Sequence, residues 1–238
     1  MKMKGRVIKS TGSWYKVTLN NQNSVNARLK GNLRPIGSRS TNPVAVGDFV
    51  DLIPESEGNF LIEKIYERSN HIIRRSVNLS KKKQVIAANI DQAILICTID
   101  EPKTLYGFMD RFLATAEAYD IPAIIAFNKV DIYSKDSLAE LEYRESAYQV
   151  AGYRTLRTST VSGEGILDLK NLLKDKVSLF SGHSGVGKST LTNSLQPGLE
   201  LKTSHISEAN KQGKHTTTFA EMHSLGFGGY IIDTPGVR

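Results

Sequence analysis

Two patterns of apolar residues divide this chain. Over residues 1–67, apolar and polar positions alternate in short stretches at 5–9, 14–19, 25–29, 48–53 and 59–65, the period of a strand with one buried face. Turn residues separate the stretches: Asn20-Asn21, Gly31-Asn32, Pro43, Gly47 and Gly58-Asn59. Five short strands with no helical period between them predict a small closed β-barrel. The oligonucleotide-binding (OB) fold is the commonest barrel of this size and strand count, with an SH3-type barrel as the alternative. The stretch 31–41, with Arg34 and Arg39 among Gly, Ser and Asn, is long for a hairpin and reads as a basic loop.

From residue 90 the pattern changes. Residues 90–99 are almost continuously apolar, as in a strand covered on both faces within a parallel sheet. Phe108, Phe112, Leu113, Ala116 and Tyr119 follow at helical spacing. Further strands are predicted at 122–127, 153–158, 177–180 and 230–233, and helices at 137–150, 166–173 and from 189 onward. Such alternation predicts an α/β fold, a doubly wound, mostly parallel sheet with helices on both faces. The expected organisation is an OB-like barrel at 1–67, a basic linker at 68–89 and an α/β domain at 90–238.

Composition narrows the class only a little. A hydrophobic fraction of 39% and a charged fraction of 23% in 238 residues are ordinary for one or two globular domains. No apolar run approaches the roughly 20 residues of a membrane span, and Met1-Lys-Met-Lys leads straight into a strand pattern without a signal-peptide core. A cytoplasmic protein is expected. The single cysteine, Cys97, lies within the apolar run 93–98 and reads as a buried thiol. Thirty-one Lys and Arg against 24 Asp and Glu give a net charge of +7, which favours a polyanionic partner. The charge concentrates at Arg74-Arg75 and at Lys81, Lys82 and Lys83. With Arg34 and Arg39 these lysines are the candidate RNA contacts; a solvated linker is the other reading of the run.

The chemistry lies in five short segments of the second region. GHSGVGKS at 182–189 meets the phosphate-loop pattern at every fixed position, between a predicted strand and a predicted helix. The backbone of Gly182, His183, Ser184, Gly185, Val186 and Gly187 would cradle phosphates, Lys188 would reach the β/γ oxygens, and Ser189, followed by Thr190, would offer a hydroxyl to Mg²⁺. NKVD at 128–131 follows a buried strand, at the carboxyl edge where such sheets bind ligands. The Asp131 carboxylate can accept from N1–H and the exocyclic amine of guanine, a pair that adenine lacks. Asn128 can bond N7 while bracing the phosphate loop, and Lys129 lies between them. TSTVSGEG at 158–165 offers Thr158, Ser159 and Thr160 to the O6 side of the same base, or alternatively a helix cap. GKHTTT at 213–218 offers a second Mg²⁺ hydroxyl from among Thr216, Thr217 and Thr218, with Thr217 taken as the ligand. DTPG at 233–236 offers Asp233 to Mg²⁺ through water and the Gly236 N–H to the γ-phosphate.

Together these segments resemble the five motifs of a translation-factor-class GTPase, in an order that begins with NKVD and ends with DTPG. That order resembles a circularly permuted GTPase. With a barrel in front, the chain looks like the bacterial ribosome small subunit-dependent GTPase A family. The resemblance implies a cytoplasmic, monomeric GTPase that uses GTP/GDP and Mg²⁺, binds the small ribosomal subunit and its rRNA, and assists its late maturation, without a membrane partner. It also implies a further C-terminal domain with a zinc site of cysteines and a histidine, which these residues do not contain. Val237 stands where a Ras-like enzyme has its water-orienting glutamine, so slow intrinsic turnover is expected. His215 is the candidate for orienting water, alongside Lys188 for charge neutralisation. Two other classes compete with this reading: an RNA-binding module whose nucleotide domain is only structural, and a small-molecule kinase or ATPase, against which Asp131 argues.

Overall fold

A computed structural model of the protein describes residues 2–20, 23–31, 33, 43–75, 83–199, 201 and 220–233. In chain order the strands and helices are β1 (Met3–Ser10), β2 (Trp14–Leu19), β3 (Ser24–Leu29), β4 (Phe49–Pro54), β5 (Phe60–Ile65), β6 (His71–Arg75), β7 (Lys83–Ala88), β8 (Gln92–Cys97), α1 (Tyr106–Ala118), β9 (Ala123–Asn128), α2 (Lys135–Val150), β10 (Arg154–Thr158), α3 (Ile166–Leu173), β11 (Val177–Ser181), α4 (Lys188–Leu195), β12 (Glu221–Ser224) and β13 (Tyr230–Asp233). The chain divides into two compact units. One comprises residues 1–90 with 217–223 and 232–235, the other residues 91–216, 224–231 and 236–238.

In the first unit the strands run β1-β2-β3-β5-β4, and β4 pairs back onto β1 to close the barrel. The β3–β5 pairing is parallel while its neighbours are antiparallel. This order is the OB fold, so the SH3-type alternative does not hold. Alternation in the sequence becomes an inner face of Val7, Tyr15, Val17, Ala27, Val50, Leu52 and Ile62. A register shift between Val7 and Lys9 is the kind of irregularity that lets a strand bend around a barrel. The fully buried Asp48 carboxylate accepts both forks of Arg68 at 2.7 Å and the Ala45 N–H at 2.8 Å, the pairing that a buried charge requires.

The structure differs from the expected linker at 68–89, where β6 and β7 form an antiparallel pair from His71↔Ala88 to Arg75↔Lys83. Charged residues at the ends of both strands hid their alternation. β12, a four-residue strand absent from the sequence reading, adds to β1 at Lys9↔Glu221, with an ion pair at 2.8 Å.

In the second unit β10, β9, β8 and β11 lie side by side, all parallel. All six residues of β8 are buried, because helices cover both faces of the sheet. One cluster joins Ile94, Ile96, Ala126 and Phe180 to Leu169, Leu172 and Leu173 of α3 and Leu191 and Leu195 of α4. α1 turns Met109, Phe112, Leu113 and Ala116 inward. Ile231 of β13 joins the α3/α4 cluster, and the Tyr230 N–H donates to Lys176 O at 2.8 Å. The parallel arrangement brings the carboxyl ends of β8, β9, β10 and β11 to one edge, where the loops carrying the candidate chemistry begin. Cys97 is buried, and that burial pushes its thiol well above the usual range.

Candidate nucleotide site

β11, buried throughout, delivers Gly182 to the sheet edge. A Cβ on Gly182 would lie 2.3 Å from the Ile96 carbonyl, so the loop can leave β11 against β8 only with glycine there. Gly187 caps α4 in the left-handed region (φ 91°), and a Cβ there would lie 2.5 Å from Asn128 Nδ2. The Lys188 ammonium donates to the carbonyls of Gly182 at 2.7 Å and His183 at 2.9 Å, across the mouth of the loop. Ser189 and Thr190 occupy the first turn of α4, the end of a helix that favours anions.

The turn after β9 meets this loop. Asn128 is buried, and its Nδ2 donates to Val186 O at 2.8 Å while its Oδ1 accepts from the Thr158 hydroxyl at 3.0 Å. One amide therefore ties the end of β9 to the phosphate loop and to the end of β10. Lys129 adopts the left-handed conformation, runs past Gly187 and donates from Nζ to Glu101 O at 2.7 Å. The Asp131 carboxylate is exposed at the edge and accepts from the Ser159 hydroxyl. That hydroxyl in turn accepts from the N–H groups of Val161 and Ser162, each at 3.1 Å, which fixes the Asp131 orientation. Gly165, at φ 64°, closes the turn, where a Cβ would lie 1.8 Å from Arg157 O. Thr160 lies half-buried in the same turn.

Several residues at this edge belong to none of the five motifs. Tyr133 is buried; its hydroxyl accepts from the Ile99 N–H at 2.8 Å and donates to Asn128 O at 2.7 Å. Burial foremost pushes that phenol up to about 12, so it is a neutral donor at physiological pH. Phe108 stacks on His183 with ring centroids 3.7 Å apart. Burial, then the nearby Lys188 and Arg111 charges, lower the His183 pKa, which keeps the imidazole neutral in the stack. Arg144 is 1% exposed, bonds Thr104 O at 2.6 Å and Glu140 at 2.8 Å, and lies over the Tyr106 ring. Phe108 and Tyr133 carried only helical periodicity and proximity to NKVD in the sequence, neither of which signals such a contact.

Asp233 ends β13 and is described. His215, Thr216, Thr217, Thr218 and Gly236, together with Arg34, Arg39, Lys81 and Lys82, lie outside the described residues; Lys83 opens β7. The structure thus brings together Asn128, Lys129, Thr158, Gly187 and, through Ser159, Asp131. Among the described residues no group of three or more His, Cys, Asp or Glu could hold a metal ion. No helix among them is long and apolar enough to cross a membrane.

Comparison with known proteins covers nearly all of the chain. The RsgA GTPase family matches residues 65–238 and the RsgA N-terminal domain family residues 4–62. The chain is 53% identical over 236 residues to the small ribosomal subunit biogenesis GTPase RsgA of Bacteroides fragilis (strain YCH46), spanning 99% of this chain and 76% of that protein. It is 51% identical over 239 residues to the protein of the same name from Flavobacterium psychrophilum, spanning 99% and 73%. Among solved structures it is similar to YjeQ from Thermotoga maritima, with TM-score 0.76, 32% identity and 99% and 75% of the two chains covered. It is also similar to YloQ, described as a circularly permuted GTPase, with TM-score 0.68, 26% identity and 99% and 72% covered.

Proposed function

The chain belongs to the RsgA GTPase family, and from that premise we propose that it hydrolyses GTP to GDP and phosphate as it assists maturation of the small ribosomal subunit. The observation that carries this reading is the Asn128 amide, 2.8 Å from Val186 O, which joins a guanine-reading turn to a phosphate loop 58 residues away in sequence. We take the barrel at 1–67 as the docking domain, 68–89 as the basic segment after it, and 90–238 as the GTPase domain. The protein acts as a monomer in the cytoplasm, where ribosomal subunits assemble.

In this reading Asp131, oriented by Ser159, accepts from N1–H and the exocyclic amine of guanine. Asn128 bonds N7, Lys129 flanks the ring, and the turn of Thr158, Ser159 and Thr160 meets O6. The phosphate-loop backbone and Lys188 hold the β- and γ-phosphates. For Mg²⁺ we take the Ser189 hydroxyl, in the first turn of α4, and, through water, the Asp233 carboxylate, at the end of β13, each a hard oxygen donor; Mg²⁺ keeps waters and phosphate oxygens for the rest. When bound, the ion neutralises charge on the phosphate oxygens. Thr217 would join it, the Gly236 N–H would meet the γ-phosphate, and His215 would orient the attacking water. Zinc has no comparable cage among the described residues.

Turnover measured with and without small ribosomal subunits tests the activity: stimulation by subunits is expected, and its absence refutes the assignment. Asp131→Asn tests guanine recognition, with affinity passing from guanosine to xanthosine nucleotides; effective competition by ATP in the parent protein would favour a kinase or ATPase. For rRNA contact, subunit affinity should fall steeply with salt, and neutralising Lys81, Lys82 and Lys83 should flatten that slope.

A further inference from the structure

One stretch outside the five motifs touches both halves of the nucleotide site. Residues 98–108 leave β8, fold back on themselves and enter α1. The loop is closed internally, since the Thr98 N–H donates to Thr104 Oγ1 at 3.1 Å and the Thr104 N–H returns to Thr98 O at 2.9 Å. Arg144, buried beneath it, donates to Thr104 O at 2.6 Å. On one side the stretch meets the guanine-reading turn twice: Ile99 N–H through the Tyr133 hydroxyl to Asn128 O, and Glu101 O to the Lys129 ammonium. On the other side Phe108 stacks on His183 of the phosphate loop.

We infer that residues 98–108 are a brace that holds the guanine-reading turn and the phosphate loop in register, and that Tyr133 and Phe108 are positioning residues for bound guanine nucleotide. The inference rests on the proposed guanine site and adds residues that touch neither base nor phosphate. The physical reason is geometric. A guanine nucleotide bridges the two loops, so its residence depends on their spacing as well as on the groups that contact it. Asn128 sets that spacing directly; the brace sets it a second time from behind, through a loop clamped by a buried arginine.

The test is release of mant-GDP from the full chain, by chase with unlabelled GDP, with steady-state kinetics alongside. Tyr133→Phe removes one oxygen and leaves the Ile99 N–H and Asn128 carbonyl unpaired, so release should quicken roughly tenfold. Phe108→Leu should quicken it severalfold, and Phe108→Tyr, which keeps the ring, should restore the parent rate. KM for GTP should rise in both weakened variants while kcat at saturation holds. Because both act through one rigid stretch, the double variant should release nucleotide more slowly than the product of the single effects requires. Parent-like release with a lowered melting temperature would make these residues merely structural and overturn the brace. Independent, multiplying effects would overturn it as well. Failure of the parent protein itself to hold mant-GDP would instead overturn the guanine site, and that outcome is visible before any variant is made.

Discussion

Replacing Asn128 by alanine separates bracing from base contact. The side chain is 3% exposed and holds two partners, Val186 O at 2.8 Å and the Thr158 hydroxyl at 3.0 Å. Alanine leaves both without that partner where water is scarce, and each such orphan costs about 1–3 kcal/mol. The Thr158 hydroxyl keeps Phe127 O at 3.4 Å as a weaker acceptor, so its share falls at the low end. The expected loss is about 2–4 kcal/mol in the nucleotide-free protein. For a unit of this size that corresponds to a drop in Tm of about 5–12 °C. Calorimetry without nucleotide measures this, because a contact to N7 cannot contribute there. A mant-GDP titration then reads the bracing and the base contact together. Asp131→Ala is the counterpart: the carboxylate is exposed and accepts from Ser159, so affinity should fall while the nucleotide-free Tm moves by no more than about 2 °C. If Asn128→Ala melts within about 1 °C of the parent without nucleotide, the amide carries no stability and the bracing argument fails.

Three further outcomes follow from single positions. Gly187→Ala and Gly152→Ala share nearly the same backbone, φ 91° and 90°, but a Cβ would strike Asn128 Nδ2 at 2.5 Å only in the first. Both should lose about 1 kcal/mol to the left-handed backbone, and only Gly187→Ala should lose more and weaken mant-GDP binding; equal losses in urea unfolding would refute the steric argument. His215→Ala should slow GTP hydrolysis while leaving GTP affinity near the parent value, and unchanged subunit-stimulated turnover would remove His215 from the mechanism. The folded Tyr133 pKa, about 12, stands above the ordinary 10.0, so its contribution to stability is full below pH 10 and is lost as the pH rises through 12. Tyr133→Phe should flatten that part of the alkaline unfolding profile, measured by circular dichroism against pH.

The sequence alone determined the features that local period and local spacing encode. Alternation gave the five barrel strands, the continuous apolar run gave β8, and the fixed spacings of GHSGVGKS and NKVD carried the phosphate and guanine chemistry within a few residues each. These are short-range properties: a strand's period and a loop's glycines are dictated by their own backbone. β6, β7 and β12 were not legible, because short strands with charged ends gain their order from a neighbour and not from their own pattern. The bracing of the phosphate loop by Asn128 was legible from its motif, though its acceptor, Val186 O, was not; nor was the meeting of Ser159 with Asp131 or of Phe108 with His183. Those contacts depend on strand order and register in the parallel sheet, which bring β8, β9, β10 and β11 to one edge. Only the tertiary structure decides which loops stand side by side there, since no residue's own spacing records the neighbour that the sheet supplies.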